Sequence, residues 1–299
     1  MGIRVNPDMY SIILNGLQTN SQQEDQALQQ ISSGQKLNSL SDDPAAAASL
    51  VTLRMQSSSD TQYLQNISSL TGSLNVADSA LSSVVEALTT AQTLGVEGAN
   101  GTLNAQNRQA LAQQVQGIQQ EILGLANTSY NGQYLFSGTN TNTQPYVADA
   151  TAPSGVDYNG DDKTNSVEIS EGQAMPTSLP GSQLFSNAQT NVFQSLQDLY
   201  NALTTNGNIS GATTEVENAL NYVSTQQTFY GNSVDRLNNA QTFLTSEQTQ
   251  LTESESNTLD VDMGTAVTDL TQTQTTQQAL VEAGAKVSQL NLFDYLSST

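Results

Sequence analysis

The stretch ISSLTGSLNVADSALSSVVEALTTA, residues 67–91, carries an apolar residue alternately every three and every four positions. Residues with this spacing stay on one side of an α-helix, and the repeat closes after seven residues. The pattern predicts a long helix that packs against another helix along a narrow apolar seam, as in a coiled coil. The seam positions are Ile67, Leu70, Leu74, Ala77, Leu81, Val84, Leu88 and Ala91.

Two later segments, residues 111–125 and 216–251, repeat this spacing. The first follows a break at residues 95–101, so it predicts a helix that turns back antiparallel to the preceding one. The second predicts a helix about 54 Å long, which favours an elongated rod. Gln227, Gln241 and Gln248 lie on this seam, either as residues that fix the register or as solvent-exposed slots in an imperfect bundle.

The core of the predicted rod is formed by the seam residues of these three segments. Large apolar side chains at seam positions are the ones that an antiparallel partner helix would bury. We predict a rod core of Ile67, Leu74, Leu81, Leu88, Leu111, Ile118, Val223, Val234, Leu237 and Leu244.

Both chain ends continue the helical pattern more weakly. Polar residues such as Asn20 and Glu24 interrupt the N-terminal seam, and Thr273, Gln277 and Gly284 interrupt the C-terminal one. Neither end buries enough apolar surface to order itself, so each needs a partner within the chain or in a neighbouring copy. The predicted subunit-assembly residues are Ile13, Leu17, Leu28, Ile31, Leu280, Val287 and Leu290.

Between residues 134 and 180 the helical periodicity is lost, and most of the prolines occur here. Short alternating pieces such as Ser166–Ser170 indicate strands, and Asn159–Asp162 has the composition of a turn that joins two of them. We expect a small β-rich insertion with a thin core, which the helices do not need for folding.

The predicted fold is mainly α. It is an elongated, antiparallel, coiled-coil-like helical rod formed by the N- and C-terminal halves, with a small β-rich inserted domain. The predicted domains are an N-terminal assembly helix and connector (1–50), the first half of the rod (51–133), the outer insertion (134–190), the second half of the rod (191–254) and a C-terminal assembly helix (255–299).

The composition excludes several classes of function. Seven Lys and Arg residues face 28 Asp and Glu residues, a formal charge of −21, and the basic residues are scattered singly. Nucleic acids and anionic membranes are therefore not expected partners. His and Cys are absent, which removes His- and Cys-dependent catalysis and zinc sites, so we predict no enzyme and no cofactor. No apolar stretch is long enough for a membrane anchor, and no cleaved signal peptide is expected.

Three groups of acidic residues are candidate sites. Asp157, Asn159, Asp161 and Glu168 match positions of a calcium-binding loop, but Asp162 stands where that loop needs glycine. A hairpin turn with solvated acids is the favoured interpretation, and ion binding is left open. The pairs Asp42–Asp43 and Asp260–Asp262 are interpreted as structural, and Asp43–Pro44 has the composition of a helix start.

The segment ISSGQKL, residues 31–37, predicts a helix that ends at Gly34 in the left-handed conformation. The whole stretch ISSGQKLNSLSDDPAAA, residues 31–47, resembles the N-terminal signature of the flagellin superfamily. Within it, Asp42-Asp43-Pro44, Gln62-Tyr63 and Asn66, and the motif GQYLFSG at 132–138 resemble the members found at the hook–filament junction. Residues 259–296 are similar to the terminal helix of the superfamily.

This resemblance implies a non-catalytic, self-assembling structural subunit of the bacterial flagellum that joins the hook, through a hook-associated neighbour, to the flagellin filament. It implies a ring of copies, export through the flagellar type III apparatus to the cell exterior, and a cytoplasmic export chaperone. Residues of the predicted chaperone and export site are Leu290, Leu292, Phe293, Tyr295 and Leu296.

Two alternatives stay open. A filament flagellin would share the helical ends, although Lys36-Leu37-Asn38 and Asp43-Pro44 differ from the usual flagellin version of this segment. A secreted coiled-coil adhesin or phage tail component would share the composition rich in Gln, Asn, Ser and Thr, but it would not need helices at both termini that pair with each other.

Overall fold

The structure is a computed structural model that describes the backbone of residues 7–39, 41–187 and 190–297 and the side chains of residues 11–39, 41–187 and 190–287. The prediction of a mainly α chain with a small β-rich insertion is confirmed. The helices are α1 (Pro7–Ser33), α2 (Pro44–Gly98), α3 (Ala105–Ala126), α4 (Gly181–Leu184), α5 (Val192–Thr205), α6 (Ile209–Leu259) and α7 (Met263–Ser297). The strands are β1 (Ser129–Tyr130), β2 (Gln133–Tyr134), β3 (Tyr146–Ala148), β4 (Val156–Tyr158), β5 (Ser166–Ser170) and β6 (Gln173–Pro176).

The chain divides into two compact units. Unit 1 comprises residues 1–58 and 247–299, and unit 2 comprises residues 59–246. Unit 1 thus brings together both ends of the chain, whereas the β-rich segment belongs to unit 2 together with the helices that flank it. The division into five sequence segments stays a prediction.

In unit 2, the stretch 67–91 lies within α2, and all eight of its seam residues are buried. The matching part of α6 buries every second predicted seam residue, whereas the predicted seam positions between them are less buried, with Gln227 half-buried and Gln241 exposed. Nε2 of Gln227 donates a 3.1 Å hydrogen bond to Oδ1 of Asp78. The buried heptad residues of α6 in this unit are Val216, Val223, Tyr230, Leu237 and Leu244.

The ten predicted rod-core residues all lie in unit 2. Nine of them are buried, and Val234 alone is half-buried. Along α6, Ala219 and Ser233 are buried, whereas the predicted seam residue Val234 is half-buried, so the second row of buried residues lies one position before the predicted seam.

Helix α2 continues to Gly98, so the break lies at residues 99–104 and begins later than the predicted range of 95–101. Helix α3 follows this break and packs against α5. The sequence did not predict α5 as a separate helix. Its start is capped by Asn191, whose side chain accepts a 3.1 Å hydrogen bond from the backbone N–H of Gln194. Its end is set by Asn206, which adopts the left-handed conformation with φ of 55°. Asn and Gly are the residues that tolerate this conformation, and Asn206-Gly207 therefore separates α5 from α6.

The β-rich segment forms three two-stranded antiparallel sheets, β1–β2, β3–β4 and β5–β6. The prediction that Asn159–Asp162 is the turn of a hairpin was wrong, because the strands before and after it pair with other strands. The turn is attached elsewhere: Asp161 N donates to the carbonyl of Ser137 at 3.1 Å, and its Oδ1 accepts from Thr139 N at 2.8 Å. Both contacts hold the turn against the segment after β2.

An aromatic cluster joins the β-rich segment to the helices. Tyr146 of β3 lies 5.1 Å from the ring of Phe193 on α5 and 5.6 Å from the ring of Phe185, measured between ring centroids. The backbone N–H of Leu179 donates a 3.2 Å hydrogen bond to the hydroxyl of Tyr230 on α6. The segment therefore covers part of the helical core, so its removal would uncover apolar side chains, contrary to the expectation that the helices do not need it.

Because two tyrosines are buried, we expect the protein to lose stability at alkaline pH. Burial raises the pKa of Tyr146 and of Tyr230 above the usual value of 10.0. Above pH 10 the unfolded chain loses these protons while the folded chain retains them, so the free energy of unfolding falls by up to about 1.4 kcal/mol per pH unit for each residue. We expect the melting temperature to fall steadily above pH 10 and Tyr230→Phe to reduce that slope. A slope that Tyr230→Phe leaves unchanged would contradict this explanation.

Candidate assembly surface

The two connectors of unit 1 are joined to each other. Helix α1 ends at Gly34, which has φ of +71°, so the predicted left-handed helix end is confirmed. The backbone N–H of Lys36 donates to the carbonyl of Leu259 at 2.6 Å, and the N–H of Val261 donates to the carbonyl of Gly34 at 3.1 Å. These bonds fix the start of α7 beside the end of α1, which allows the two terminal helices to pair.

Acidic side chains cap the helices that leave these connectors. Oδ1 of Asp43 accepts hydrogen bonds from the N–H groups of Ala45 and Ala46, both at 3.0 Å, which confirms the predicted helix start. Oδ1 of Asp262 accepts from the N–H of Gly264 at 2.9 Å, and hydrogen bonds, first that from the Thr265 hydroxyl, lower the pKa of Asp262. Both carboxylates thus satisfy free N–H groups of a first helical turn.

Replacing Asp43 with alanine should lower the free energy of unfolding by about 1 kcal/mol, because two N–H groups at the start of α2 lose their acceptor. Thermal unfolding followed by circular dichroism measures this change. Asp25→Ala is the control, since Asp25 is an exposed acid within α1 and should change the stability by less than about 0.5 kcal/mol. Equal shifts for both variants would mean that lost negative charge, and not the lost cap, causes the effect.

Helices α1 and α7 pack against each other in antiparallel orientation. Nδ2 of the buried Asn20 donates a 2.8 Å hydrogen bond to the carbonyl of Thr273. Near the other end, a Cβ atom added to Gly16 would lie 3.6 Å from the Leu280 methyl groups, and one added to Gly284 would lie 3.6 Å from Cγ2 of Ile13. The described residues that this pair buries are small or polar, so a thin seam holds the helices together: Asn20, Ala27, Ala266 and Thr273.

The thin seam leaves the predicted assembly residues only partly covered. Leu28 is exposed, and Ile13 is half-buried beside Gly284. The side chain of Leu290 lies outside the described residues, as do those of Leu292, Phe293, Tyr295 and Leu296. The other half-buried assembly residues are Leu17, Ile31, Leu280 and Val287.

Sequence reasoning missed most of the exposed apolar residues of unit 1. Ile12 is 67% exposed and Leu14 48% exposed, although both adjoin the half-buried Ile13. Consecutive helical residues point about 100° apart, so Ile12, Ile13 and Leu14 cannot all face α7. This run of three was the signal that α1 carries apolar side chains on more than one side. The other large apolar residues of unit 1 that are exposed are Leu28, Val51, Met55, Met263, Val267 and Val281.

Outside this surface, two of the acidic residues considered for calcium, Asp161 and Glu168, accept hydrogen bonds from backbone N–H groups. Oδ1 of Asp161 accepts from the N–H groups of Thr139 and Lys163, and Oε1 of Glu168 accepts from the N–H of Gly172 at 3.3 Å. Among the side chains of residues 11–39, 41–187 and 190–287, no group of three or more acidic residues is arranged to hold a metal ion. Helices in the same ranges all lack the combined length and apolar character that crossing a bilayer requires.

Family models match both ends of the chain. The bacterial flagellin N-terminal helical region matches residues 6–141, and the bacterial flagellin C-terminal helical region matches residues 213–296. The two matches together span well over half of the chain and include both paired terminal helices, α1 and α7.

Similar proteins agree with these models. Flagellar hook-associated protein 3 of Escherichia coli K12 is 29% identical over 95% of this chain and 96% of its own length. The protein of the same name from Salmonella typhimurium is 34% identical over 61% of this chain and 56% of its own length. The crystal structure of the flagellar junction protein FlgL from Legionella pneumophila, 14% identical, shares the fold with a TM-score of 0.59 over 72% of this chain and all of that one. The chain therefore belongs to the flagellin superfamily of bacterial flagellar proteins and is similar to its members named hook-associated protein 3.

Proposed function

We propose that this protein is a non-catalytic structural subunit of the flagellum that links the hook to the flagellin filament. Copies of the chain would pack side by side into a ring, with a hook-associated neighbour on one side of the ring and flagellin on the other. The proposal rests on one structural observation, the apolar exposure of unit 1, and on the names of the relatives.

The apolar exposure is concentrated in the unit that contains both chain ends. Of the eleven large apolar side chains that are exposed among the described residues, eight belong to unit 1. Scattered single exposures need no explanation, but a concentration in one unit marks a surface that another protein covers. A subunit that packs with its neighbours through its terminal helices would bury these side chains.

The relatives favour the junction over the filament. The alignment with hook-associated protein 3 of Escherichia coli spans nearly the whole of both chains, including the β-rich segment between the flagellin regions. A coiled-coil adhesin or phage tail component would give no reason for flagellin-type regions at both ends. The junction role therefore accounts for the middle of the chain as well as for its ends.

The proposed role includes a route to the cell exterior. A junction subunit has to leave the cell, and we propose export through the flagellar type III apparatus, with a cytoplasmic chaperone bound to the apolar C-terminal residues Leu290, Leu292, Phe293, Tyr295 and Leu296. Apolar residues exposed in a chain before assembly require protection from aggregation. In the assembled flagellum the same residues would pack against neighbouring subunits.

Antibody-gold labelling of isolated hook–filament structures tests the proposal. We expect a single band of gold at the level where the hook meets the filament. Decoration along the whole filament would identify a flagellin, and absence of label from purified flagella would favour a secreted adhesin or a phage component.

A further inference from the structure

We propose that a pocket on unit 2 binds an uncharged saccharide. The pocket has a volume of about 350 Å³ and lies between α2, the β1–β2 hairpin, and β5 with the segment that follows β6. This volume is at the lower end for small-molecule sites and matches one or two sugar rings. The proposal does not depend on the junction role, because all of its lining residues lie within unit 2.

The wall of the pocket is uncharged, which disfavours ions as ligands. Residues of the pocket wall are Ser, Thr, Asn, Gln, Tyr, Leu and Val, and none of them is charged. The nearest acidic residue along the chain, Glu168, follows the lining residue Val167, and the chain as a whole carries a net charge of −21. Anionic ligands would be repelled, and a cation would find no carboxylate in the wall, so the pocket suits a neutral polar molecule.

Several polar side chains of the pocket have hydrogen-bonding capacity left over. Within the described part of the chain, the side chains of Ser69, Gln133 and Asn165 are solvent-exposed and hydrogen-bond to no other protein group, so a ligand would replace water on them. An amide offers two donors and an acceptor, and a hydroxyl offers one donor and two acceptors. Neighbouring hydroxyl groups of a sugar need this mixture of donors and acceptors, whereas an apolar ligand would leave these groups unsatisfied.

The walls that carry these groups are held in place. Nδ2 of Asn66 on α2 donates a 2.9 Å hydrogen bond to the carbonyl of Glu168 on β5 and so ties two sides of the pocket together. The ring of Tyr130 lies against Gly72, where any Cβ atom would overlap its hydroxyl. A side chain that is fixed before binding costs less entropy when the ligand arrives.

Two tyrosine rings complete the arrangement. Tyr130 and Tyr134 line the same pocket and are both half-buried, so each presents part of an aromatic ring together with a polar hydroxyl. The C–H faces of a sugar ring are apolar and pack on aromatic rings, while its hydroxyls reach the surrounding amides. A second cavity of about 430 Å³, lined by glutamines such as Gln116 and Gln120, has amides but no aromatic residue and serves as the comparison.

Saturation-transfer NMR on the full chain tests the proposal. The probes are the methyl glycosides of glucose, galactose, mannose and N-acetylglucosamine, and the disaccharides lactose, cellobiose and chitobiose, each at about 10 mM to detect millimolar affinity. We expect at least one of them to receive saturation, and we expect Ser69→Phe, which fills the pocket from an exposed helix position, to weaken binding at least about tenfold.

Gln116→Phe is the matched control, because it fills the second cavity from an equally exposed helix position and should leave binding unchanged. Asn165→Ala provides a second pocket variant if Ser69→Phe fails to fold by circular dichroism. The proposal is wrong if no probe receives saturation, if a folded pocket variant binds as well as the natural chain, or if Gln116→Phe weakens binding equally. Stronger binding of sialyllactose than of lactose would overturn the preference for uncharged ligands.

Discussion

Replacing Gly138 with alanine is expected to lower the free energy of unfolding by about 4–6 kcal/mol, a large change for one methyl group. Gly138 has φ of +74°, and a side chain in that conformation costs about 1–2 kcal/mol. A Cβ atom would also overlap the backbone carbonyl and the carboxylate of Asp161. The turn that contains Asp161 must move to remove this overlap. The movement strains the packing and breaks the hydrogen bonds of Asp161 to Ser137 and Thr139, each worth about 1 kcal/mol.

Gly132→Ala separates the cost of the backbone conformation from the cost of the overlap with Asp161. Gly132 has φ of +79°, and a Cβ atom added there meets nothing within 4 Å. This variant should therefore lose only the conformational part, about 1–2 kcal/mol. Urea unfolding of both variants gives the two free energies. If Gly138→Ala cost no more than Gly132→Ala, the contact between Gly138 and Asp161 would contribute nothing to stability.

The contact between Gly138 and Asp161 is one of several that the motif GQYLFSG, residues 132–138, makes with the β-rich segment. Leu135, Phe136, Ser137 and Gly138 are all buried, and the carbonyl of Phe136 accepts hydrogen bonds from Gly181 N at 2.7 Å and from the Tyr158 hydroxyl at 3.1 Å. The motif thus fastens the beginning of the β-rich segment to its middle and its end. The buried part of the motif, residues 135–138, therefore anchors the fold.

The heptad seam could be predicted because it is a local property. Residues seven apart on one helix face the same way wherever the partner helix comes from, so the burial of the stretch 67–91 follows from spacing alone. The turn at Asn159–Asp162 was misjudged for the opposite reason. Its composition indicates a turn, but Asp161 of the turn bonds to Ser137 and Thr139, more than twenty residues earlier, and no local pattern identifies these partners.

The candidate assembly surface could also be predicted only in part. The pattern of α1 identified Ile13 and Leu17 as one apolar face, and the structure places both, half-buried, in the helix that pairs with α7. The exposed Ile12 and Met55 were missed because a seam pattern describes one contact per helix. A helix that serves its own chain and a neighbouring chain carries two apolar faces, and the second face breaks the simple period of the first.

Ile12→Ser and Met55→Ser, combined in one chain, are expected to abolish junction assembly and motility while the isolated subunit stays as stable as before. Ile12 is 67% exposed and Met55 66% exposed, so their loss should change the free energy of unfolding by less than about 0.5 kcal/mol each. Burial of such a side chain against a neighbour contributes about 1.5–3 kcal/mol. Losing two of them would weaken each subunit contact by about a hundredfold or more.

Val96→Ser is the matched control for this prediction, because Val96 is 63% exposed but belongs to unit 2. It removes a similar apolar side chain without touching the unit that we propose to assemble. Swimming in soft agar, electron microscopy of isolated flagella and the melting temperature of each purified chain provide the measurements. Normal filaments on cells that carry the double variant, or an equal loss with Val96→Ser, would refute the assembly role of unit 1. An altered melting temperature would instead mean that the two side chains stabilise the subunit itself, which their exposure argues against.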